Sequence, residues 1–475
     1  MTALEHPARA DGPAQPSARI PFPLVDEVSR HCVQEEEPET VHIEVHLPGP
    51  LDRDRLTAAF GEALRRHPRV LMREAPGPWY RRRYEWELTA EPDVEVVSFP
   101  PAGRNALRDA RTRALTSAPP LSLSPPVRLE VVSDAGRAEG SEATDAVGLA
   151  ARPLTRTPRT GGAGGTVLFL TINHTALDGP ACLRVLATAA ELYGGRDNSP
   201  AAPPVRPPEP PQPAADTPSN WSPPARVAPG TPEPSPGNGL LVTELPLPHR
   251  PKGSPYTVND QLMVTTALTI THWNREHGAR PRPLRITMPV DDRPRDATMP
   301  IGNGTRLVEV PFSIEELDAH EPADMPALLR RTAARTRALK AQPRPQLGRG
   351  AALLTAPVTP VAWRAGITRG LRRAAASWTS TTLLSNIGRI PYALDFGEGA
   401  GRAHAVWFSA PARMPRGLTV TTASTAGRLH LALRWSRALL GHGDGAHVRD
   451  LFEHYLHTTE TAAGPGTAAG TETGT

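Results

Sequence analysis

The chain has 475 residues, of which 39% are hydrophobic and 21% charged, and its formal net charge is +4. This length allows two or three domains. No apolar run approaches the ~20 residues of a membrane-spanning helix, and the first residues lack the layout of a signal peptide. No basic cluster interleaved with aromatic residues points to nucleic acid. With only Cys32 and Cys182 as cysteines, we expect a cytoplasmic protein without a disulfide framework.

The first half of the chain shows patterns typical of both strands and helices. Residues 41–47 (VHIEVHL) alternate between apolar and polar side chains and predict a strand. Residues 51–67 predict an amphipathic helix with Leu56, Phe60 and Leu64 on its apolar face.

The second half repeats this mixture. Residues 257–276 predict a long helix, and residues 405–409 predict a strand of the same lobe. Residues 381–385 predict a strand that ends in a turn at 386–388. Residues 351–373 are apolar at first and broken by prolines, and we interpret them as core helices rather than a membrane contact.

Composition divides the chain into five parts. A dense run of prolines forms the clearest linker, because proline can neither pair inside a sheet nor continue a helix. Helices placed around mostly antiparallel strands predict an α+β fold with a cleft between two lobes, where ligand sites often lie. We assign a disordered tail to 1–20, an N-terminal lobe to 21–197 with a flexible insertion at 134–165, a linker to 198–239, a C-terminal lobe to 240–460 and a second disordered tail to 461–475.

Residues 167–195 organise the predicted architecture. An apolar run at 167–172 predicts a buried strand, and Pro180 suits the first turn of the helix that follows. Between them lies the hexad His174-Thr175-Ala176-Leu177-Asp178-Gly179. A histidine at the end of a buried strand is well placed to project into a cleft.

Three chemical roles compete for His174. A metal site would have only Asp178 as a second nearby ligand, which is too few for zinc. A catalytic triad would need a nucleophile, but no G-x-S-x-G occurs and Cys182 lies on no recognisable nucleophile motif. A lone general base remains, because histidine titrates near neutrality and can take a proton from a hydroxyl or amine. A single histidine is more often structural than catalytic, so further residues have to support this role.

Residues 173–179 (NHTALDG) resemble the HHxxxDG signature of the condensation-domain superfamily. Its members include condensation domains of nonribosomal peptide synthetases and carrier-dependent acyltransferases, and they share the chloramphenicol acetyltransferase-like fold. The resemblance extends over about residues 20–460. It includes the stretches at 49–52 (GPLD), 257–260 (TVND), 289–293 (PVDDR), 301–303 (IGN), 385–388 (SNIG) and 395–399 (DFGEG). Two departures stand out: Asn173 replaces the first histidine of the signature, and Glu398 replaces the tryptophan of a DFGWG segment.

The resemblance implies a role for each matched residue. It makes His174 the catalytic base and Asp178 a structural residue whose salt bridge to Arg293 holds the loop across the lobes. Asn173 and Gly179 would support the signature loop. The tunnel between two acetyltransferase-like lobes would be lined by three further residues: Asn303, Ser385 and Asn386.

The resemblance also implies an activity. We expect a stand-alone acyltransferase of natural-product biosynthesis that moves an acyl group from a thioester to an amine or alcohol. No bound cofactor or metal is expected, because the donor travels on the phosphopantetheine of a separate carrier protein or on coenzyme A. We expect a monomer. A degenerate, non-catalytic binding or scaffold protein is the alternative, motivated by Asn173 and Glu398, and a lipid-type O-acyltransferase is a third interpretation.

Overall fold

The chain folds into two lobes, each built on a β-sheet. No helix in the described part of the chain combines the length and the apolar character needed to cross a membrane. The computed structural model describes residues 18–34, 36–133, 165–196, 222–296, 298–318, 325–342, 346 and 355–461.

The first lobe contains a five-stranded sheet of order β12-β2-β7-β6-β5 and a small antiparallel sheet of order β1-β4-β3. Apart from the parallel pair β5 and β6, the neighbours in the larger sheet are antiparallel. Its elements before the linker are β1 Arg19–Pro21, α1 Leu24–His31, β2 Thr40–Leu47, α2 Arg53–Arg66, a 3₁₀ turn at Pro68–Val70, β3 Met72–Glu74, β4 Glu85–Leu88, β5 Val97–Ser98, α3 Ala106–Thr116, β6 Val127–Ser133, β7 Thr166–Asn173 and α4 Gly179–Tyr193.

The second half of the chain supplies a six-stranded sheet of order β10-β9-β11-β13-β14-β8. In it β11 runs parallel to both of its neighbours, and the other pairs are antiparallel. The elements are β8 Asn238–Pro246, α5 Val258–Glu276, β9 Leu284–Val290, β10 Arg306–Phe312, α6 Ile314–Leu317, α7 Met325–Ala341, α8 Val361–Ala374, a 3₁₀ turn at Ala376–Trp378, β11 Thr382–Arg389, β12 Ala405–Ser409, β13 Leu418–Thr425, β14 Arg428–Ser436 and α9 His442–Thr461.

Local sequence explains how two of the long helices begin. Helix α2 begins at Asp52, whose side chain accepts a hydrogen bond from the Arg55 N–H at 2.8 Å, and its predicted apolar face is buried. Helix α5 begins with a capping box, in which Thr257 and Asp260 satisfy each other's backbone N–H groups.

Strand β12 crosses from the second half of the chain into the sheet of the first lobe. It pairs antiparallel with β2, and Trp407 lies opposite Glu44. Tyr392, Phe396 and Val406 are buried in the first hydrophobic core. This corrects the assignment of all of 240–460 to the C-terminal lobe. An apolar strand pattern reports that a strand is buried, but not which sheet buries it.

Other expected boundaries also shift. The tail predicted for 1–20 overlaps β1, because Arg19–Pro21 pairs with β4, and residues 1–17 lie outside the described residues. Strand β8 starts at Asn238, inside the predicted linker, and residues 222–237 form neither helix nor strand. The insertion at 134–165, apart from Gly165, lies outside the described residues, as do 197–221 and 462–475.

Two predictions about residues 351–389 were wrong. Strand β11 does not end at residue 385 but continues through a bulge between Asn386 and Gly388, so the predicted turn is a strand irregularity. Helix α8 is not a core helix, because it packs against α1 on one face only. Trp363, Ile367 and Leu371 are more than half exposed on its other face.

Two glycine-containing motifs that are far apart in sequence meet in the first lobe. Gly49 donates its N–H to the Ala400 carbonyl at 3.1 Å. A Cβ on Gly49 would lie 1.7 Å from the Gly399 carbonyl oxygen, so only glycine fits. This contact closes the 395–399 turn over the start of α2.

We expect Gly49→Ala to destabilise the fold by at least about 1–3 kcal/mol, because the new methyl group forces two backbone segments apart. Gly61→Ala is the matched control: a Cβ on Gly61, within α2, would meet no neighbouring element within 4 Å, and alanine favours helix by about 1 kcal/mol. Urea unfolding should therefore move in opposite directions for the two variants. Equal shifts would contradict the close contact.

Candidate active site

His174 lies in the turn between β7 and α4, on the wall of a cavity of about 420 Å³ between the lobes. Its backbone N–H donates to the Glu39 carbonyl at 2.8 Å, which fixes the turn to the start of β2. Its ring Nδ1 lies 3.1 Å from the Leu177 carbonyl oxygen. A carbonyl oxygen only accepts, so Nδ1 carries a proton, and in the neutral imidazole the lone pair lies on Nε2.

Asn173 faces away from this cavity. Its Nδ2 donates to the Pro119 carbonyl at 2.9 Å, and its Oδ1 accepts the Thr175 N–H at 3.1 Å. The amide thus satisfies backbone groups on both sides of the His174 turn. Asn173 is therefore not part of the cavity wall on which His174 lies.

Asp178 is buried, and both of its oxygens are used. Oδ1 accepts the Ala181 N–H at 3.0 Å and caps α4. Oδ2 accepts from Arg293 Nη2 at 2.7 Å and from the Gly304 N–H at 2.9 Å, with the Thr305 N–H at 3.3 Å. One carboxylate therefore joins the His174 loop to the β9–β10 connection of the other lobe.

Arg293 is held by more than Asp178. Its Nε donates to Asp291 Oδ1 at 2.8 Å, and its Nη1 donates to the Gly302 carbonyl at 3.0 Å. Burial opposes its charge, but the hydrogen bond to Asp291 and the charge of Asp178 outweigh burial and raise the pKa of Arg293 above its usual value. The guanidinium therefore remains a permanent cation at the lobe boundary.

Asn303 was expected in the tunnel wall, but it lies beneath the His174 turn instead. Its Nδ2 donates to the carbonyls of His174 and Thr175 at 3.2 and 3.0 Å, and to Asp26 Oδ1 at 2.9 Å. Asp26 also accepts from Trp86 Nε1 at 2.8 Å. Burial raises the pKa of Asp26 to about 6, although these hydrogen bonds act in the opposite direction.

The other two predicted lining residues do face the cavity. Ser385 and Asn386 lie on β11, and the Asn386 Oδ1 accepts from Thr422 Oγ1 at 3.1 Å. The facing wall comes from the first lobe and includes Val41, Leu183 and the Phe408 ring. The result is a mainly apolar space with polar groups at a few fixed points, as small-molecule sites generally have.

Gly179 and Cys182 lie on α4, the helix that follows the His174 turn. A Cβ on Gly179 would lie 3.3 Å from the Phe408 ring, so this position needs a small residue for close packing. Burial raises the pKa of the Cys182 thiol well above its usual value, and the thiol is buried. Cys182 therefore does not have the character of a nucleophile.

Glu398 replaces the tryptophan of the DFGWG segment without affecting the core, because its side chain is exposed at the tip of the turn. The turn is held instead by Asp395, whose Oδ1 accepts the Gly397 N–H at 2.9 Å and whose Oδ2 pairs with Arg196 at 3.1 Å. Neither departure from the family pattern reaches the cavity wall.

Several cavity residues were not identified from the sequence. Glu39 precedes β2, Phe408 lies on the crossing strand, and Arg413 and Arg416 precede β13. Arg413 forms an ion pair with Glu39. None of them lies on a motif, and their proximity depends on strand pairings between distant parts of the chain.

Sequence comparison finds relatives without a known activity. No protein-family model matches the chain. Two uncharacterized proteins of Mycobacterium tuberculosis, from strains CDC 1551 / Oshkosh and ATCC 25618 / H37Rv, are each 26% identical to it over 417 residues. The match covers 79% of this chain and 84% of each relative.

Solved structures identify the fold. Trichothecene 15-O-acetyltransferase from Fusarium sporotrichioides matches with a TM-score of 0.61 at 11% identity, over 95% of this chain and 98% of that one. The condensation domain of the Monacolin K polyketide synthase matches with a TM-score of 0.57 at 13% identity, over 94% and 97%. The first condensation domain of the CDA synthetase gives 0.56 at 14%, over 95% and 98%. The expected two-lobed, chloramphenicol acetyltransferase-like fold is confirmed.

We expect Asp178→Ala to lower the free energy of unfolding by about 3–5 kcal/mol, because three backbone N–H groups and Arg293 lose a buried acceptor. Asp318→Ala is the control. It removes the ion pair with Arg275, in which both side chains are at least half exposed, and should cost no more than about 1 kcal/mol. Urea unfolding followed by circular dichroism measures both. A loss below about 1 kcal/mol for Asp178→Ala would argue against a structural ion pair.

We expect Asp26 to make stability depend on pH. The unfolded chain releases this proton near pH 3.8 and the folded chain near pH 6, so raising the pH through this window favours unfolding. Relative to the wild type, Asp26→Asn should therefore gain up to about 3 kcal/mol between pH 4 and pH 7. Urea unfolding at intervals of one pH unit tests this, and a difference that does not change with pH would exclude it.

Proposed function

We propose that this protein is an acyltransferase that moves an acyl group from a thioester to an amine or alcohol, with His174 as the general base. The observation that carries the proposal is the hydrogen bond made by His174 Nδ1. Its Nδ1–H is committed to the Leu177 carbonyl, and Nε2 has no hydrogen-bond partner among the described residues. A neutral imidazole on a cavity wall, with one nitrogen anchored and the other available, is suited to proton transfer.

The proposed reaction needs no covalent enzyme intermediate. The acceptor N–H or O–H gives its proton to His174 Nε2 as the nitrogen or oxygen attacks the thioester carbonyl carbon. The tetrahedral oxyanion then collapses, the C–S bond breaks, and the leaving sulfur takes the proton from Nε2 as a free thiol. The unreactive environment of Cys182 agrees with direct transfer.

The backbone N–H of Gly179 is our candidate for stabilising the oxyanion. It is the first N–H of α4, and such groups have no acceptor within their own helix. Pro180 contributes no N–H, and the Ala181 N–H is used by Asp178. This leaves one donor at the helix terminus beside His174.

The fold supports a thioester as the acyl donor. Solved relatives in fold include a starter condensation domain in complex with C8-CoA, with a TM-score of 0.57 at 13% identity. By extension, we propose that a carrier-protein phosphopantetheine or coenzyme A brings the acyl group to this chain. We also propose that the chain acts as a stand-alone, monomeric enzyme of natural-product biosynthesis. The non-catalytic alternative loses its motivation, because Asn173 and Glu398 lie away from the cavity wall.

We expect His174→Ala to reduce acyl transfer about 10²–10⁴-fold, the usual contribution of a general base. The assay incubates the full chain with acyl-coenzyme A and N-acetylcysteamine thioesters and a panel of amines and alcohols. Thiol release is followed by a colorimetric reagent, and the product by mass spectrometry. His249→Ala, which removes an exposed histidine, is the control and should retain full activity.

Two results would count against the proposal. Full transfer by a folded His174→Ala variant would remove His174 as the base. Accumulation of a stable acyl-enzyme, visible as a mass increase of the intact protein, would replace direct transfer by a covalent route.

A further inference from the structure

The cavity holds an arginine with no acidic partner. Arg416 immediately precedes β13, and its guanidinium contacts two hydroxyl groups. Nη2 donates to Ser380 Oγ at 2.9 Å and to Thr287 Oγ1 at 3.3 Å, and Nε donates to Ser380 Oγ at 3.2 Å. No carboxylate lies within ion-pair distance of it, and its Nη1 has no hydrogen bond, among the residues that the structure describes.

The surroundings of Arg416 add positive charge. Burial, together with the neighbouring Arg413, Arg372 and Arg226, lowers the pKa of Arg416 to about 10 against the opposing effect of Glu309. Within the described part of the chain, Arg226 donates to the carbonyl oxygens of Thr379 and Ala376.

The nearby carboxylates are already committed. Glu309 pairs with Arg285 at 3.3 Å. Glu39 pairs with Arg413 and accepts from Ser29 Oγ at 2.5 Å. Glu37, which also acts on Arg413, accepts the Met414 N–H at 3.1 Å. Five guanidinium groups therefore have three engaged carboxylates near them. A partly desolvated cation without an acid is unfavourable unless an anion is supplied from elsewhere.

Strand β9 connects the surroundings of Arg416 with the contacts that hold the His174 loop. Alternate residues of a strand face one side of the sheet, so Thr287 faces the same side as Pro289, which lines the cavity as does Asp291 just after β9. Thr287 contacts Arg416, whereas Asp291 contacts Arg293, which binds Asp178. Four residues of strand span about 13 Å.

We infer that Arg416 forms a subsite for an anionic oxygen group, a carboxylate or phosphate, of a substrate whose other end reacts at His174. The two N–H groups of Arg416 Nη1 have no acceptor among the described residues and are free to donate to an oxygen of such a group. The inference rests on the proposed function, because it places the anion and the reacting atoms in one cavity. Two sources share this chemistry: a carboxylate of the acceptor or acyl chain, and the phosphate of a pantetheine thioester.

Calorimetric titration of the full chain tests the subsite with two pairs of probes that differ in charge. Octanoate is compared with octanamide, and 4′-phosphopantetheine with pantetheine. Wild type should bind the anion of at least one pair about tenfold or more tightly than its neutral partner, which corresponds to about 1.4 kcal/mol. The pair that shows the preference identifies the source of the anion.

The variants decide whether Arg416 causes this preference. R416Q should abolish it, R416K should retain part of it because the charge stays, and R373Q, which removes an exposed arginine of α8, should leave it intact. If R416Q does not fold, R416K carries the comparison. The inference would be overturned if the wild type showed no preference for the anion. It would also be overturned if the preference were unchanged in R416Q, or in R416K where R416Q does not fold.

Binding can be separated from catalysis. H174A should keep the anion preference of the wild type, because His174 is not part of the subsite. In the wild type, an anion preference without any acyl transfer would mean that the proposed function fails while the subsite stands. Acyl transfer without any anion preference would mean the reverse.

Discussion

The buried Asp178 carboxylate is the contact on which the rest of the site depends. Its two oxygens accept from α4, from Arg293 and from the β9–β10 connection. A carboxylate at the N-terminus of a helix is favoured by the helix dipole as well as by its N-cap bond. The same group therefore starts α4, fixes the loop that carries His174, and joins the two lobes. Few other side chains could do all three, because an amide has only one acceptor oxygen.

The crossing of β12 is the second constraint. It places Phe408 against Gly179 and completes the cavity wall with residues from both halves of the chain. A reaction between two substrates benefits from walls that do not move independently, since the reacting atoms have to be held in one geometry. Asn303 adds to this rigidity, because it binds the carbonyls of His174 and Thr175 from the opposite lobe.

The sequence predicted the parts of the site that are local. The strand, the His174 hexad and the helix that follows could be recognised because their pattern is contiguous, and Arg293 followed from a resemblance. The strand register that brings Thr287 to Arg416 could not be predicted, because the two residues lie 129 positions apart in the chain. The same limit explains why β12 was assigned to the wrong sheet and Asn303 to the cavity wall: a motif specifies a residue, but not the direction of its side chain.

Arg416 and His174 line the same cavity. In the proposed reaction His174 becomes positive when it takes the proton of the acceptor, and a cation in the same cavity opposes this change. The guanidinium groups around Arg416 increase the opposition. An anion bound at Arg416 removes part of it at the moment when the substrate is in place. The subsite would then contribute to the rate as well as to affinity, because binding of the correct substrate lowers the cost of protonating the base.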